Sequence, residues 1–216
     1  CATIPWGMFA RVHSAAVLGI DAYLVDVEID IAQGLPTLIT VGLPHGAVKE
    51  GRERVNSAIT NAGYQFPLKR ITVNLAPADI RKDGSAFDLP VALGILAATG
   101  QLEGDPADRT NGGPAALSDY AIVGELGLEG GVRPVRGALS IALGAKAAGL
   151  KGVIVPAANL AEAAVVDGVE VLGAKTLPEV VAFFLTGASL EHAVTDPGRA
   201  FQQRHQDDVD FAEVRG

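Results

Sequence analysis

Alternating apolar and polar positions mark the first elements of this chain. In LVDVEIDI (Leu24–Ile31), Val25, Val27, Ile29 and Ile31 fall on one face, and Asp26, Glu28 and Asp30 on the other. A period of two with one charged face predicts a strand whose apolar side meets a core. The runs Met8–Val17, Ala22–Ile31 and Thr37–Val41 read as three such strands, and their close spacing predicts an antiparallel start to the sheet. The period then changes. Val48, Gly51, Val55, Ala58, Ile59 and Ala62 recur at helical spacing, which predicts an amphipathic helix from about Gly46 to Asn61, stopped by Gly63.

Ile71–Leu75 reads as a short buried strand ending at Pro77. A charged turn follows (Arg81, Lys82, Asp83, Gly84), then an apolar helix over about Phe87–Ala98. Its longest apolar run, Val91–Ala98, is broken by Gly94 and falls far short of the roughly 20 residues of a membrane span. Gly104–Ser118, rich in Gly, Pro and polar residues, reads as a loop. Tyr120–Glu125 and Gly131–Val135 are predicted strands, and Ala138–Ala148 a helix stopped by Gly149. Val153–Val155 (strand), Leu160–Val166 (helix), Val169–Leu172 (strand) and Leu177–Leu185 (helix, ended by Gly187) complete the pattern. This alternation predicts α/β layering. Beyond Ala188 the apolar pattern fades. The expected organisation is therefore one α/β domain over residues 8–187, followed by a linker over 188–216. The opening Cys1–Gly7 reads as a tag or a misplaced start.

Composition narrows the class. With 49% hydrophobic residues, 19% charged and 5% aromatic, the chain is expected to be a soluble globular protein. One cysteine cannot form an internal disulfide. A formal net charge of −8 argues against a free-standing duplex-DNA binder, since phosphate neutralisation dominates such affinity. The charge is uneven, however. Between Lys49 and Lys82 basic residues outnumber acids, and beyond Ala188 the acids prevail. Lys49, Arg52, Lys69, Arg70, Arg81 and Lys82 are the candidates for phosphate contact, the alternative being ordinary surface charge.

Catalytic chemistry finds little support. The histidines (His13, His45, His192, His205) are scattered without metal-site spacing, and no G-x-S-x-G elbow occurs. Asp79, Asp83 and Asp88 follow no metal-loop pattern. Asp88 is expected to cap or pair at the start of its helix, where the dipole favours an acid, and Ser85 to cap free N–H groups there. No G-x-x-x-x-G-K-[ST] loop is present, and no Gly is followed by Lys, so no ATP site is expected in this stretch.

Four segments carry a resemblance: VGLPHGAVKEGRERVNSAITNAGY (Val41–Tyr64), KRITVNLAPADIRKDGSAFDLPVALGILAATGQ (Lys69–Gln101), VGELGLEGGVRPVRGAL (Val123–Leu139) and GVIVPAANLAEAAVVDGVEVLGAKTLPEVV (Gly152–Val181). They resemble the N-terminal region of the magnesium-chelatase-like AAA+ ATPases of the ComM/YifB type. The resemblance implies a mixed α/β sheet with helices packed on it, like ribosomal protein S5 domain 2 and the Lon protease domain. Lon's nucleophile lies in Asp-Gly-Pro-Ser-Ala-Gly. The run here is Asp83-Gly84-Ser85-Ala86-Phe87-Asp88, so that position holds Ala86. The position of Lon's lysine holds Leu139 in Arg136-Gly137-Ala138-Leu139. A non-enzymatic domain is implied; a shifted dyad of Ser85 with Lys82 or Lys146 is the remaining peptidase reading. Asp210–Gly216 resembles the segment leading into the ATPase domain, where ATP and magnesium are expected. The implied parent is a hexameric DNA helicase promoting branch migration in DNA uptake. It would be cytoplasmic, and its partners would be its own AAA+ domain, neighbouring ring subunits and DNA, with no membrane. The alternative is an assembly module without DNA contact.

Overall fold

The computed structural model describes residues 8–102 and 115–193. The expectations for Cys1–Gly7, for most of the Gly104–Ser118 loop and for the linker beyond Ala193 lie outside the described residues. The opening alternation becomes a long antiparallel hairpin: β1 (Met8–Leu18) pairs with β2 (Asp21–Ala32) from Met8↔Ile31 to Leu18↔Asp21. Next come β3 (Thr37–Val41), α1 (Ala47–Asn61), β4 (Arg70–Ala76) and α2 (Asp88–Ala98). The second half holds β5 (Tyr120–Ile122), β6 (Glu125–Leu126), β7 (Val132–Arg133), α3 (Ala138–Ala147), β8 (Gly152–Pro156), α4 (Leu160–Ala163), β9 (Glu170–Ala174), α5 (Leu177–Thr186) and β10 (Glu191–His192).

Among the described residues, eight strands form one mixed sheet in the order β10-β9-β8-β5-β1-β2-β4-β3, and β6 pairs with β7 apart from it. The expected mixed α/β architecture is what the chain adopts. The antiparallel start holds for β1, β2 and β4, but β3 pairs parallel to β4 at the sheet edge, with Thr37 opposite Arg70. The reason is the helix between them: a strand–helix–strand crossover returns the chain in the same direction. The other edge is the two-residue β10, antiparallel to β9.

Period two sorts the sheet's side chains onto its two faces. Val25, Val27, Ile29 and Ile31 join Ile71, Val73 and Leu75 in one core with residues of α1, α2 and α5. Helix α2 is buried from Asp88 to Leu96, which explains why its sequence is apolar all round instead of striped. Its Gly94 lies so close to the sheet that a Cβ would fall 2.6 Å from Ile29 Cγ1. A second core on the opposite face joins Ala15, Ala121 and Val153 to Ala138, Ile141 and Ala142 of α3 and to Leu160 and Ala163 of α4. Among the described residues, no helix is long and apolar enough to cross a membrane.

Three details depart from the sequence pattern. The Tyr120–Glu125 run splits, because Gly124 leaves the sheet: its N–H donates to Ala86 O (2.9 Å) and its carbonyl accepts from Leu89 N (3.0 Å) at the head of α2. Helix α4 closes after Ala163, where Val166 N–H donates to Ala163 O (3.2 Å) in a tighter turn. The fold also runs past Gly187, since Leu190 is buried and Glu191–His192 join the sheet.

Candidate functional site

The turn after β4 is fastened from several sides. Lys82 N–H donates to Leu43 O (3.2 Å), His45 N–H to Lys82 O (3.0 Å), and Tyr23 Oη to Arg81 O (2.9 Å). On its surface Arg81 Nε meets Asp83 Oδ2 at 2.8 Å and packs against the His45 ring, whose Nδ1 lies 2.9 Å from Asp83 Oδ1. Lys82 points the other way. It has no exposed area, and its ammonium donates to the Pro77 carbonyl within the loop. The expectation that Lys82 touches phosphate is thereby corrected: a covered ammonium already held by a carbonyl has no reach to a polyanion.

Burial lowers the Lys82 pKa, with Asp79 opposing. The sign of the consequence follows from linkage. Between the lowered folded pKa and the ordinary lysine value of about 10.4, the unfolded chain holds a proton that the fold has shed. Stability contributed by this group therefore rises with pH through that window. Lys82→Met should remove that rise. Urea unfolding of both proteins between pH 7 and 10.5 should show the difference between them changing with pH, and a constant difference would contradict the assignment.

Beside this turn lies the place where a Ser–Lys dyad would sit. Ser85 Oγ donates to the Glu125 carboxylate, whose other oxygen lies 3.6 Å from Arg133 Nη1. It does not cap α2, whose N-cap position is Phe87. Lys82 is held by Pro77, and Lys146, in the last turn of α3, lies beside Gly168. Ser85 and Lys82 thus each have a separate partner. Ala86 is half-buried with its carbonyl bound to Gly124 N–H, and Leu139 lies 38% exposed on α3.

Asp88 pairs as expected, and the structure supplies the partner. Arg54 of α1 grips its carboxylate through Nε (2.6 Å) and Nη2 (3.1 Å), donates to Ala47 O (2.9 Å), and the Leu126 N–H adds a third donor at 3.3 Å. Burial pushes the Asp88 carboxyl up, while Arg54 and the Leu126 N–H pull it back. Gly51 makes the space, since a Cβ there would lie 2.7 Å from Asp88 Oδ1. A glycine three residues before an arginine on an amphipathic helix was the available signal.

An open groove of about 730 Å³ lies between the start of β3, the outer face of α1 and the segment that follows Gly63. Gly63 (φ 87) ends α1, and Tyr64 N–H folds back onto Ile59 O (3.0 Å). Gln65 N–H donates to Gln101 Oε1 (2.8 Å) and Gln101 Nε2 to Gln65 O (2.9 Å), pinning the segment to the end of α2. Tyr64 and Phe66 line the groove together with Arg52, Asn56 and Lys69, and among the described residues no carboxylate does.

The six candidate cations thus separate. Arg52 (49% exposed, its Nε 3.7 Å from Glu53 Oε1) and Lys69 line the groove. Lys69 Nζ lies 3.2 Å from Met8 Sδ. Arg70 is next in sequence but falls on the opposite sheet face from buried Ile71, and is exposed. Arg81 sits beyond the other end of β4, and Lys82 is buried. Lys49 belongs to α1, and its side chain lies outside the described residues. Sequence reasoning missed Tyr64 and Phe66, two aromatics between a helix-ending Gly63 and Pro67 in a chain poor in aromatics.

Comparison with known proteins gives a consistent result. The family described as subunit ChlI of Mg-chelatase matches residues 27–159. The chain is 44% identical over 180 residues to the uncharacterized protein YifB of Escherichia coli, covering 83% of this chain and 33% of that protein. It is 41% identical over 174 residues to the competence protein ComM of Haemophilus influenzae, covering 81% and 32%. A weaker likeness, 32% over 130 residues, links it to Lon protease 2 of Bacillus subtilis, covering 60% of this chain and 21% of that one. The chain spans about a third of the length of the YifB and ComM relatives it matches.

Proposed function

Since this chain belongs to the family of subunit ChlI of Mg-chelatase, we propose that it is the non-catalytic N-terminal module of a cytoplasmic AAA+ ATPase that acts on DNA. The finer form of this reading is a hexameric, ComM-type helicase that promotes branch migration during DNA uptake. ATP and magnesium would be held by the ATPase portion of the parent. The residues of this chain do not fit the nucleotide, because it has no P-loop and no Gly-Lys step.

The observation that supports a DNA role is the survival of accessible cations (Arg52, Lys69, Arg70, Arg81) on a body of net charge −8. Six copies on a ring would add their weak contacts through avidity. Fluorescence anisotropy of labelled DNA, titrated from low to physiological salt, tests it. Binding should weaken steeply with salt, and an absence of binding at low salt would contradict the reading.

A second reading, an assembly module without DNA contact, draws on a separate observation. Val17, Leu18 and Ile20 at the β1–β2 turn, with Leu139 and Leu143 of α3, are exposed aliphatic side chains. The turn is fixed to α3 by Ser140 Oγ, which donates to Ile20 O (2.7 Å). Light scattering that found oligomers of a chain indifferent to DNA would favour this reading.

A further inference from the structure

We propose that the groove beside α1 is a binding site for single-stranded nucleic acid, with Tyr64 and Phe66 as stacking faces for bases and Arg52 and Lys69 as phosphate contacts. This rests on the DNA reading above and adds to it a place and a form of ligand.

Charge supplies the first argument. In a chain with eight more acids than bases, the described residues of the groove wall include two cations and no carboxylate. Complementarity to a polyanion is therefore local to this surface. Aromatic content supplies the second. Only 5% of the chain is aromatic, yet two aromatics line this one groove within three residues of each other. A base has a π-face whatever its identity, so aromatics beside cations suit a strand without fixed sequence. In a duplex those faces are already stacked, which selects the unpaired strand.

Order supplies the third. The aromatic segment is tied down by the Gln65–Gln101 pair and by the Tyr64–Ile59 backbone bond before any ligand arrives. Little ordering entropy is left to oppose binding. The Asn56 side-chain amide within the wall offers both a donor and an acceptor to base edges. The volume, about 730 Å³, is within the usual range of ligand sites and takes more than one unit of a chain molecule.

The test uses the full chain with fluorescein-labelled oligo-dT of twenty nucleotides and a duplex of equal length, in low salt. The single strand should bind more tightly than the duplex. Arg52→Glu with Lys69→Glu should weaken single-strand binding at least tenfold and flatten the salt dependence, by about 0.7 per lost phosphate contact. Tyr64→Leu with Phe66→Leu should weaken it about tenfold or more while leaving the salt slope in place. Arg136→Glu, exposed and outside the groove lining, should change little. The charge-reversal pair lies on the groove wall, so its result stands even if the aromatic pair perturbs folding. If groove variants bind like the parent while Arg81→Glu loses affinity, the groove assignment falls and the DNA reading survives. Tighter binding of duplex also overturns the groove assignment. If neither DNA binds, both readings fall.

Discussion

Replacing Asp88 by Ala should cost about 3–5 kcal/mol of stability, because it leaves a charge in the interior without its partner. The carboxylate is 4% exposed and Arg54 21% exposed, joined by two hydrogen bonds. Removing the acid would strand the guanidinium between α1 and α2 and leave the Leu126 N–H without its acceptor. Removing both charges is a different matter. Arg54→Met with Asp88→Leu replaces the pair by apolar bulk and should recover much of the loss, as buried pairs often permit. Urea unfolding checks both, through a shift of midpoint at constant m-value. A loss below about 1 kcal/mol for Asp88→Ala would show that the pair behaves like a solvated surface bridge.

Gly42→Ala should be nearly as damaging. The residue stands at φ 92, and a Cβ would lie 2.2 Å from the Leu75 carbonyl oxygen and 2.8 Å from its carbon. Both partners are backbone of a central strand, so neither can move aside cheaply. Strain at a glycine-only conformation costs of order 1–3 kcal/mol, and forced overpacking typically adds 1–3 more. The expected loss is about 3–5 kcal/mol from these two sources. Gly19→Ala serves as the comparison, since Gly19 shares a positive φ of 67 but would meet nothing within 4 Å. Its cost should stay near 1–2 kcal/mol. Equal losses for the two would mean that the close approach to Leu75 contributes nothing.

Much of the fold was legible because burial leaves a period in the sequence. The strand Leu24–Ile31 alternates since one side of β2 faces a core, and α1 reads as a helix since only its Val48–Val55–Ile59 side does. Pairing partners leave no such trace. Nothing in Thr37–Val41 says that it will bond to β4 instead of β2; that choice is made by the crossover helix between them. The candidate site was legible only as a supply of charges. Lys82 looks like its neighbour Arg81 in sequence, yet the loop turns one inward and the other out. Ser85 sits where a cap is expected, but an acid forty residues away takes its hydroxyl. Arg54 was obscured by the helix's polar side, although the gap at Gly51 records the carboxylate it serves. The Tyr64–Phe66 pair escaped notice because a base-stacking surface has no required spacing.

The two ends of the large sheet are unlike, and the difference bears on symmetry. At one end β10 is two residues long, and both, Glu191 and His192, are exposed polar groups. A short, polar edge discourages another strand from adding. At the other end β3 offers five residues with no charge and no proline. Strand addition between copies would therefore join β3 to β3. Such a contact is isologous: each copy uses the same surface, a two-fold axis relates them, and the arrangement closes at two. A ring of more than two needs heterologous contacts, in which one surface of a copy meets a different surface of the next. Rotational order above two must then be encoded in side-chain surfaces, outside the reach of the backbone ladder.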